Sequence, residues 1–310
     1  MSTEPSTRRS ARATGLVFGI AAYGLWGFLP GYFLLLEPAS PWEIVAFRVL
    51  MSLVFCALIL TVMRGWRGLV GLARQPRVLF AMALAGALIY INWQVFVIAT
   101  LTGHVVEASL GYFINPVITV ALGVVLLREK LRPLQWVAVG ISLVAILVIA
   151  LGYGAFPWIA LALAGSFGFY GFIKKRVGAQ VDAVSGLTLE TAWLAPVAIV
   201  QLVITGATVG IAVGHAGPVH LTLMIATGVI TAVPLLFFAA AARRLPLVAL
   251  GLTQYLAPVL QFATGVFLLH EPMPTGRWIG FCLVWLALVL LTVDMIRAAR
   301  AGRRASLPVA

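Results

Sequence analysis

Apolar residues in this chain neither alternate with polar ones nor keep to a single helical face. They run on for about five helical turns at a time and are then cut by short polar or basic connections. A helix needs roughly 20 mainly apolar residues to cross the hydrocarbon core of a bilayer. Ten segments meet that length: 15–36, 44–63, 78–99, 105–127, 134–151, 156–173, 186–204, 219–242, 247–269 and 277–296. The pattern therefore predicts an all-α membrane protein with ten transmembrane helices. Several connections are so short that neighbouring helices must be antiparallel hairpins.

One block of the pattern occurs twice. Pro116, Gly123, Glu129 and Trp136 return as Pro258, Gly265, Glu271 and Trp278, each 142 positions later. The run G-V-V-L-L-R-E ending at Glu129 becomes G-V-F-L-L-H-E ending at Glu271. A second echo links Ala22–Phe28 to Ser166–Phe172, both keeping G-x-aromatic-G-F. The charges do not repeat: Arg128, Lys130 and Arg132 are replaced by His270, Pro272 and Pro274, while outer Thr100-Leu101-Thr102 corresponds to inner Ala242-Arg243-Arg244. Basic connections stay in the cytoplasm, so such a change is what an upside-down second copy requires. With both termini cytoplasmic, every Lys and Arg except Arg48 and Arg277 falls on the inner side. The expected organisation is a cytoplasmic tail (1–14), a first five-helix repeat (15–151), an inverted second repeat (156–296) and a basic cytoplasmic tail (297–310).

Composition reinforces this picture. The chain is 62% hydrophobic and only 10% charged, with mean hydropathy +1.08, against roughly 25% charged residues in a soluble domain. The net charge of +12 fits an anionic cytoplasmic leaflet better than nucleic acid, because the basic residues sit in short connections and form no patch on a soluble domain. Cys56 and Cys282 lie inside apolar runs and suggest neither a disulfide nor a metal site. No nucleotide-binding or hydrolase motif is present. Arg8, Arg9 and Arg12 precede an apolar stretch too long for a signal-peptide core, so an uncleaved first helix is expected.

Ionisable groups in hydrocarbon are costly and mark function by default. Three stand out: Arg48, Glu107 and Glu190. At 1.5 Å per residue, Arg48 and Glu107 both lie near the outer edge, about 6 Å deep for Arg48, and Glu190 lies near the inner edge. Arg48 and Glu190 are equivalent repeat positions, yet inversion sets them roughly 15–18 Å apart along the membrane normal. Arg48 with Glu107 is therefore the better pair. A structural pair or snorkelling to the headgroups, a gate or a substrate contact, and proton coupling through Glu107 or Glu190 are the competing roles.

The fourth segment carries Glu107, Gly111, Asn115, Thr119 and Gly123 at steps of four, matched in the ninth by Ala249, Thr253, Ala257, Gln261 and Gly265. Such a stripe serves close helix packing or lines a solvated cavity. Prolines favour the cavity: Pro116 should free the Tyr112 carbonyl and Pro258 that of Gln254, with Pro196 and Pro234 also near mid-depth. Helix irregularities at equivalent places in inverted halves are the sequence pointer to a transporter's binding site. They select Tyr112, Asn115, Gln254 and Tyr255; Asn92, Trp93, Gln94, Trp26 and Tyr170 could complete an aromatic pocket. Helix packing is the competing role for each. Trp136 and Trp278 fit interfacial anchors.

The layout and inverted repeat resemble the drug/metabolite transporter superfamily, with each half similar to an EamA domain. Glu107-Ala-Ser-Leu-Gly-Tyr-Phe-Ile-Asn-Pro116 resembles the signature of the RarD subfamily, as do Ala22–Gly27, Ser166–Gly171, Glu190–Pro196 and the Pro234–Arg243 run. The resemblance covers about 15–296. It implies an inner-membrane carrier, an exporter by default, working by alternating access on a small metabolite or drug, amphenicols included. With no nucleotide site, an ion gradient must drive it, and protons are the default partner. No cofactor or metal is expected, and a homodimer is left open. Two other classes compete. A passive channel or scaffold would lack an inverted duplication within one chain. An intramembrane enzyme would need a buried nucleophile or metal cluster, whereas His104, His215, His220 and His270 all fall at outer connections or span ends.

Overall fold

The computed structural model describes residues 4–127, 132–153, 156–177, 180–242, 244–245 and 253–305. The regular elements among them are all helices. The chain begins with α1 (Glu4–Gly27), α2 (Leu29–Leu34), α3 (Pro41–Val62), a short α4 (Trp66–Ala73), α5 (Pro76–Leu101), α6 (Val105–Leu127) and α7 (Pro133–Tyr153). It continues with α8 (Trp158–Val177), α9 (Ala183–Thr208), α10 (Pro218–Ala242), α11 (Leu256–Ala263, running into a π-turn at Thr264–Leu268) and α12 (Thr275–Ala305). Arg128, Glu129 and Lys130 of the first block, and 246–252 at the start of the ninth segment, lie outside the described residues.

Among the described residues, five helices are long and apolar enough to cross a membrane: α3, α5, α9, the Pro218–Ala241 stretch of α10, and the Thr275–Asp294 stretch of α12. Five shorter apolar helices accompany them: Ala13–Gly27, Val105–Ile118, Pro133–Ile149, Trp158–Lys174 and Leu256–Leu268. Their outer faces carry bare aliphatic side chains, with Val62 at 85% and Val203 at 67% exposure, the surface of a protein solvated by lipid.

Two segments differ from the expected single spans. The first breaks at Phe28 between α1 and α2. Pro30 has no N–H for the Trp26 carbonyl four residues earlier, and Gln261 Nε2 donates to that carbonyl from α11 at 3.2 Å. In the described part of the ninth segment, helical Thr253 is followed by a turn at Gln254–Tyr255 and then by α11, so Pro258 sits in the first turn after that break, where its missing N–H costs nothing. The helix α4 was not foreseen. It is about two turns of amphipathic helix in the basic Arg64–Arg77 connection, with Leu69 buried.

Helices approach closely where glycine removes the side chain. A Cβ on Gly111 of α6 would lie 2.7 Å from the Ala160 carbonyl oxygen of α8, and one on Gly86 of α5 would lie 3.2 Å from the Glu190 carbonyl oxygen of α9. Gly228 of α10 meets the Met51 carbonyl of α3 in the same way. The main core lies between α2, α3, α5, α8, α9 and α10, around Phe33, Ile44, Met82, Leu163 and Met224. A second core joins α6, α7, α11 and α12 around Phe113, Ile149, Phe262 and Phe281.

Candidate functional site

Ser40 caps α3, its hydroxyl accepting from Glu43 N at 3.2 Å, and two turns further on α3 carries Arg48 into the main core. The side chain is 4% exposed. Its guanidinium lies 4.2 Å from the Trp93 ring centroid and 5.4 Å from that of Phe33, a cation held by π faces. Nε donates to Thr231 Oγ1 of α10 at 2.9 Å. Nη1 is buried without a hydrogen-bond partner among the described residues.

Beside this cage, Tyr112 donates its hydroxyl to Asn92 Oδ1 at 2.9 Å. Asn92 Nδ2 in turn donates to the Leu163 carbonyl and to Ser166 Oγ, both at 3.2 Å. From Phe33 a row of rings runs through Phe96 (6.1 Å), Tyr112 (5.7 Å), Phe167 (5.8 Å) and Tyr170 (5.9 Å). At the far end Tyr170 donates to Glu190 Oε2 at 3.3 Å, and Lys174 Nζ donates to Glu190 Oε1 at 2.6 Å. The Glu190 side chain is 0% exposed and that of Lys174 27%. Arg48, Trp93, Asn92, Tyr112, Tyr170 and Glu190 thus belong to one continuous polar-aromatic seam, with an ion pair at one end and, at the other, a cation that has no carboxylate partner among the described residues.

The remaining expected residues lie off the seam. Glu107 does not pair with Arg48. It accepts from Ile159 N in the first turn of α8 at 3.1 Å, a helix terminus that favours a carboxylate. It also lines a cavity of about 20 Å³ with Phe156, Arg277 and Phe281. Depth had placed Glu107 near Arg48, but the two point to different neighbours around the α6 axis. Trp26 packs edge-on with Tyr23 and against Phe238. Asn115 lies beside Gly168 of α8, and Gln94 takes part in a hydrogen bond from Gln201 at 3.3 Å. Tyr255 lies next to Gln254 and to Thr292 of α12. Pro116, Pro196 and Pro234 sit inside α6, α9 and α10.

Three further carboxylates were not foreseen as functional. Glu271 of the repeated block accepts from Val105 N at 2.6 Å and Val106 N at 3.0 Å, binding the start of α6. Burial pushes its carboxyl above the usual range against the pull of those two N–H groups, Arg277 and His104. Gly265 of the same block lies against that helix start, where a Cβ would meet Val106 N at 3.0 Å. The repeated Gly and Glu were therefore a visible signal of an interlock. Glu43 accepts from Ala212 N at 3.0 Å and Val213 N at 2.8 Å; Ser40-Pro-Trp-Glu43 carries the capping-box spacing, but its Glu serves the α9–α10 connection instead. Asp182 caps α9, accepting from Val184 N and Ser185 N at 3.0 Å. Desolvation pushes its carboxyl up, but the hydrogen bonds from Ser185 and Val184 prevail and hold it below the usual carboxylate range.

The chain resembles known proteins along nearly all its length. The model of the EamA-like transporter family matches residues 13–151. Protein RarD of Streptomyces exfoliatus is 48% identical over 290 residues, covering 94% of this chain and 91% of that one. The uncharacterized transporter YojE of Bacillus subtilis (strain 168) is 40% identical, covering 93% and 97%. A crystal structure of another protein, 19% identical, shares the fold with a TM-score of 0.59 over 91% of this chain and 98% of that one.

Proposed function

This multi-pass membrane protein belongs to the EamA-domain, RarD-type transporters of the drug/metabolite family, and from that membership we propose that it is an inner-membrane secondary carrier that exports a small organic molecule by alternating access. Its ten spans would form two inverted five-helix repeats, 15–151 and 156–296, with both termini cytoplasmic. The observation that carries this reading is the pairing of helices. Counting five per repeat, α1–α2, α3, α5, α6 and α7 correspond to α8, α9, α10, α11 and α12. The contact of α1 with α10 then corresponds to that of α8 with α5, α3 with α10 to α9 with α5, and α6 with α8 to α11 with α1. The pairs α3–α9, α6–α11 and α7–α12 are their own counterparts, and all of these helices pack together. Gly86 on the Glu190 carbonyl and Gly228 on the Met51 carbonyl repeat the correspondence in detail.

Two bundles related in this way can rock about the seam between them, exposing it to either side in turn. The polar-aromatic seam is the substrate path, with Asn92, Trp93, Tyr112 and Tyr170 as its contacts and Arg48 at one end. The Glu190–Lys174 pair is the inner gate or the proton-coupling group, and Glu107 is the competing coupling group. Purified protein in liposomes preloaded with unlabelled cargo, amphenicols and small metabolites among them, should show trans-stimulated uptake of the labelled cargo. Uptake indifferent to internal cargo would mean a passive pore and overturn the carrier. If Glu190 or Glu107 carries the coupled proton, its Gln variant should insert normally and lose transport driven by a pH gradient. Unchanged driven transport in both Glu107→Gln and Glu190→Gln would remove carboxylate coupling.

A further inference from the structure

The Arg48 guanidinium is an incomplete ion pair. Among the described residues, the four glutamates of the packed helices and their outer connections are committed elsewhere. Glu43 holds Ala212 N and Val213 N, Glu107 holds Ile159 N, Glu190 holds Lys174 and Tyr170, and Glu271 holds the start of α6. No ion pair of Arg48 with any carboxylate occurs among the described residues. A buried cation without a counter-charge is costly, and π faces and one hydroxyl offset only part of that cost. Trp93 covers a face of the guanidinium at 4.2 Å and Thr231 takes Nε. Stacking occupies the face and leaves the N–H edge, and on that edge Nη1 is unpartnered. That edge is the fork that binds an oxyanion through parallel hydrogen bonds.

We propose that Arg48 is the docking group for the carboxylate of a monoanionic substrate, with the Trp93, Phe33 and Tyr112 rings against its apolar body. The proposal rests on the carrier reading and names the class of its cargo. Charge matching selects one negative charge: Arg48 is the only cation in the cage among the described residues, and the nearest along the seam, Lys174, is neutralised by Glu190. A dianionic phosphate would leave a net charge in hydrocarbon, and a neutral molecule would leave Arg48 unpaired. The bound carboxylate also provides the counter-charge that lets Arg48 cross states without dragging a protein anion with it.

The test uses purified full-length protein and follows its melting midpoint with lactate, benzoate and 3-phenylpropionate, each against its primary amide, and with phenyl phosphate and chloramphenicol. At least one monocarboxylate should stabilise the protein saturably, with its amide at least tenfold weaker. Arg48→Gln should abolish that preference, and Arg48→Lys should keep it with about tenfold weaker binding because the charge remains and the fork is lost. The proposal is overturned if no monocarboxylate binds, if acid and amide bind alike, if the preference survives in Arg48→Gln, or if phenyl phosphate or chloramphenicol binds more tightly than every acid. Should Arg48→Gln not fold, the acid–amide comparison in the native chain and in Arg48→Lys decides. Counterflow of chloramphenicol without carboxylate binding would sink this proposal and leave the carrier standing; carboxylate binding without counterflow of any probe would do the reverse.

Discussion

Arg48 on α3 and Glu190 on α9 occupy the same place in the two halves of the chain, 142 positions apart, and both are buried. The two helices pack against each other, and each begins at an equivalent cap, Ser40 or Asp182. From there the halves part. Glu190 is neutralised by Lys174 and bonded by Tyr170. Arg48 has aromatic faces and a hydroxyl but no counter-charge among the described residues. On the proposed duplication, the scaffold was supplied twice, and divergence made one position an internal ion pair and left the other open among the described residues. A closed pair suits a gate that must be stable when nothing is bound. An open one suits a site that is completed by what it binds.

The comparison can be broken most forcefully at Lys174. Lys174→Met strands the Glu190 carboxylate, and removing one partner of a buried pair costs about 3–5 kcal/mol. A large fall in melting midpoint is expected, relieved when Glu190→Gln is added. If the single and double variants melt together, the pair is not what holds Glu190.

The caps sharpen the comparison at smaller scale. Ser40→Ala and Asp182→Ala should each cost about 1 kcal/mol. Only the second should depend on pH. The Asp182 carboxyl sits below its unfolded value, so its contribution is complete above the usual carboxylate range and is lost as pH falls through the folded value. The gap in melting midpoint between Asp182→Ala and the native chain should therefore narrow as pH falls from neutral through the folded value of Asp182, while that of Ser40→Ala persists. An acid-insensitive difference at Asp182 would mean that its charge is not the capping agent.

The smallest effect is expected at Arg48. Replacing a buried charge by an apolar side chain of similar volume is often neutral or stabilising. Arg48→Met should leave stability unchanged or raise it while removing carboxylate-dependent stabilisation. A loss as large as that of Lys174→Met would show that Arg48 is a structural element like its counterpart.

Much of this was legible before any coordinates. The long apolar runs located the helices, and the proline irregularity in the fourth segment pointed at Tyr112, which bonds Asn92 in the seam, while Asn115, Gln254 and Tyr255, selected by the same argument, lie off it. Arg48 and Glu190 were visible because charge in an apolar run has few bland explanations. What failed was whatever depends on rotation about a helix axis. Arg48 and Glu107 share a depth, but α6 turns Glu107 toward the first turn of α8. Lys174 was assigned to a cytoplasmic connection, whereas α8 extends through Val177 and brings it onto Glu190. Thr231 and Phe33 carry no local mark of their role; the Thr231 bond spans 183 positions. The break at Phe28 was readable in retrospect, since Pro30 denies a partner to the Trp26 carbonyl that Gln261 then satisfies.

The central claim is that the second half of the chain threads the membrane upside-down relative to the first, and the repeated block tests it most directly. In a background with Cys56 and Cys282 replaced by Ala, Lys130→Cys and Pro272→Cys would be exposed in turn to a membrane-impermeant maleimide applied outside intact cells. The account predicts that Pro272→Cys reacts and that Lys130→Cys reacts only after the membrane is opened. Labelling of both from the same side would contradict it.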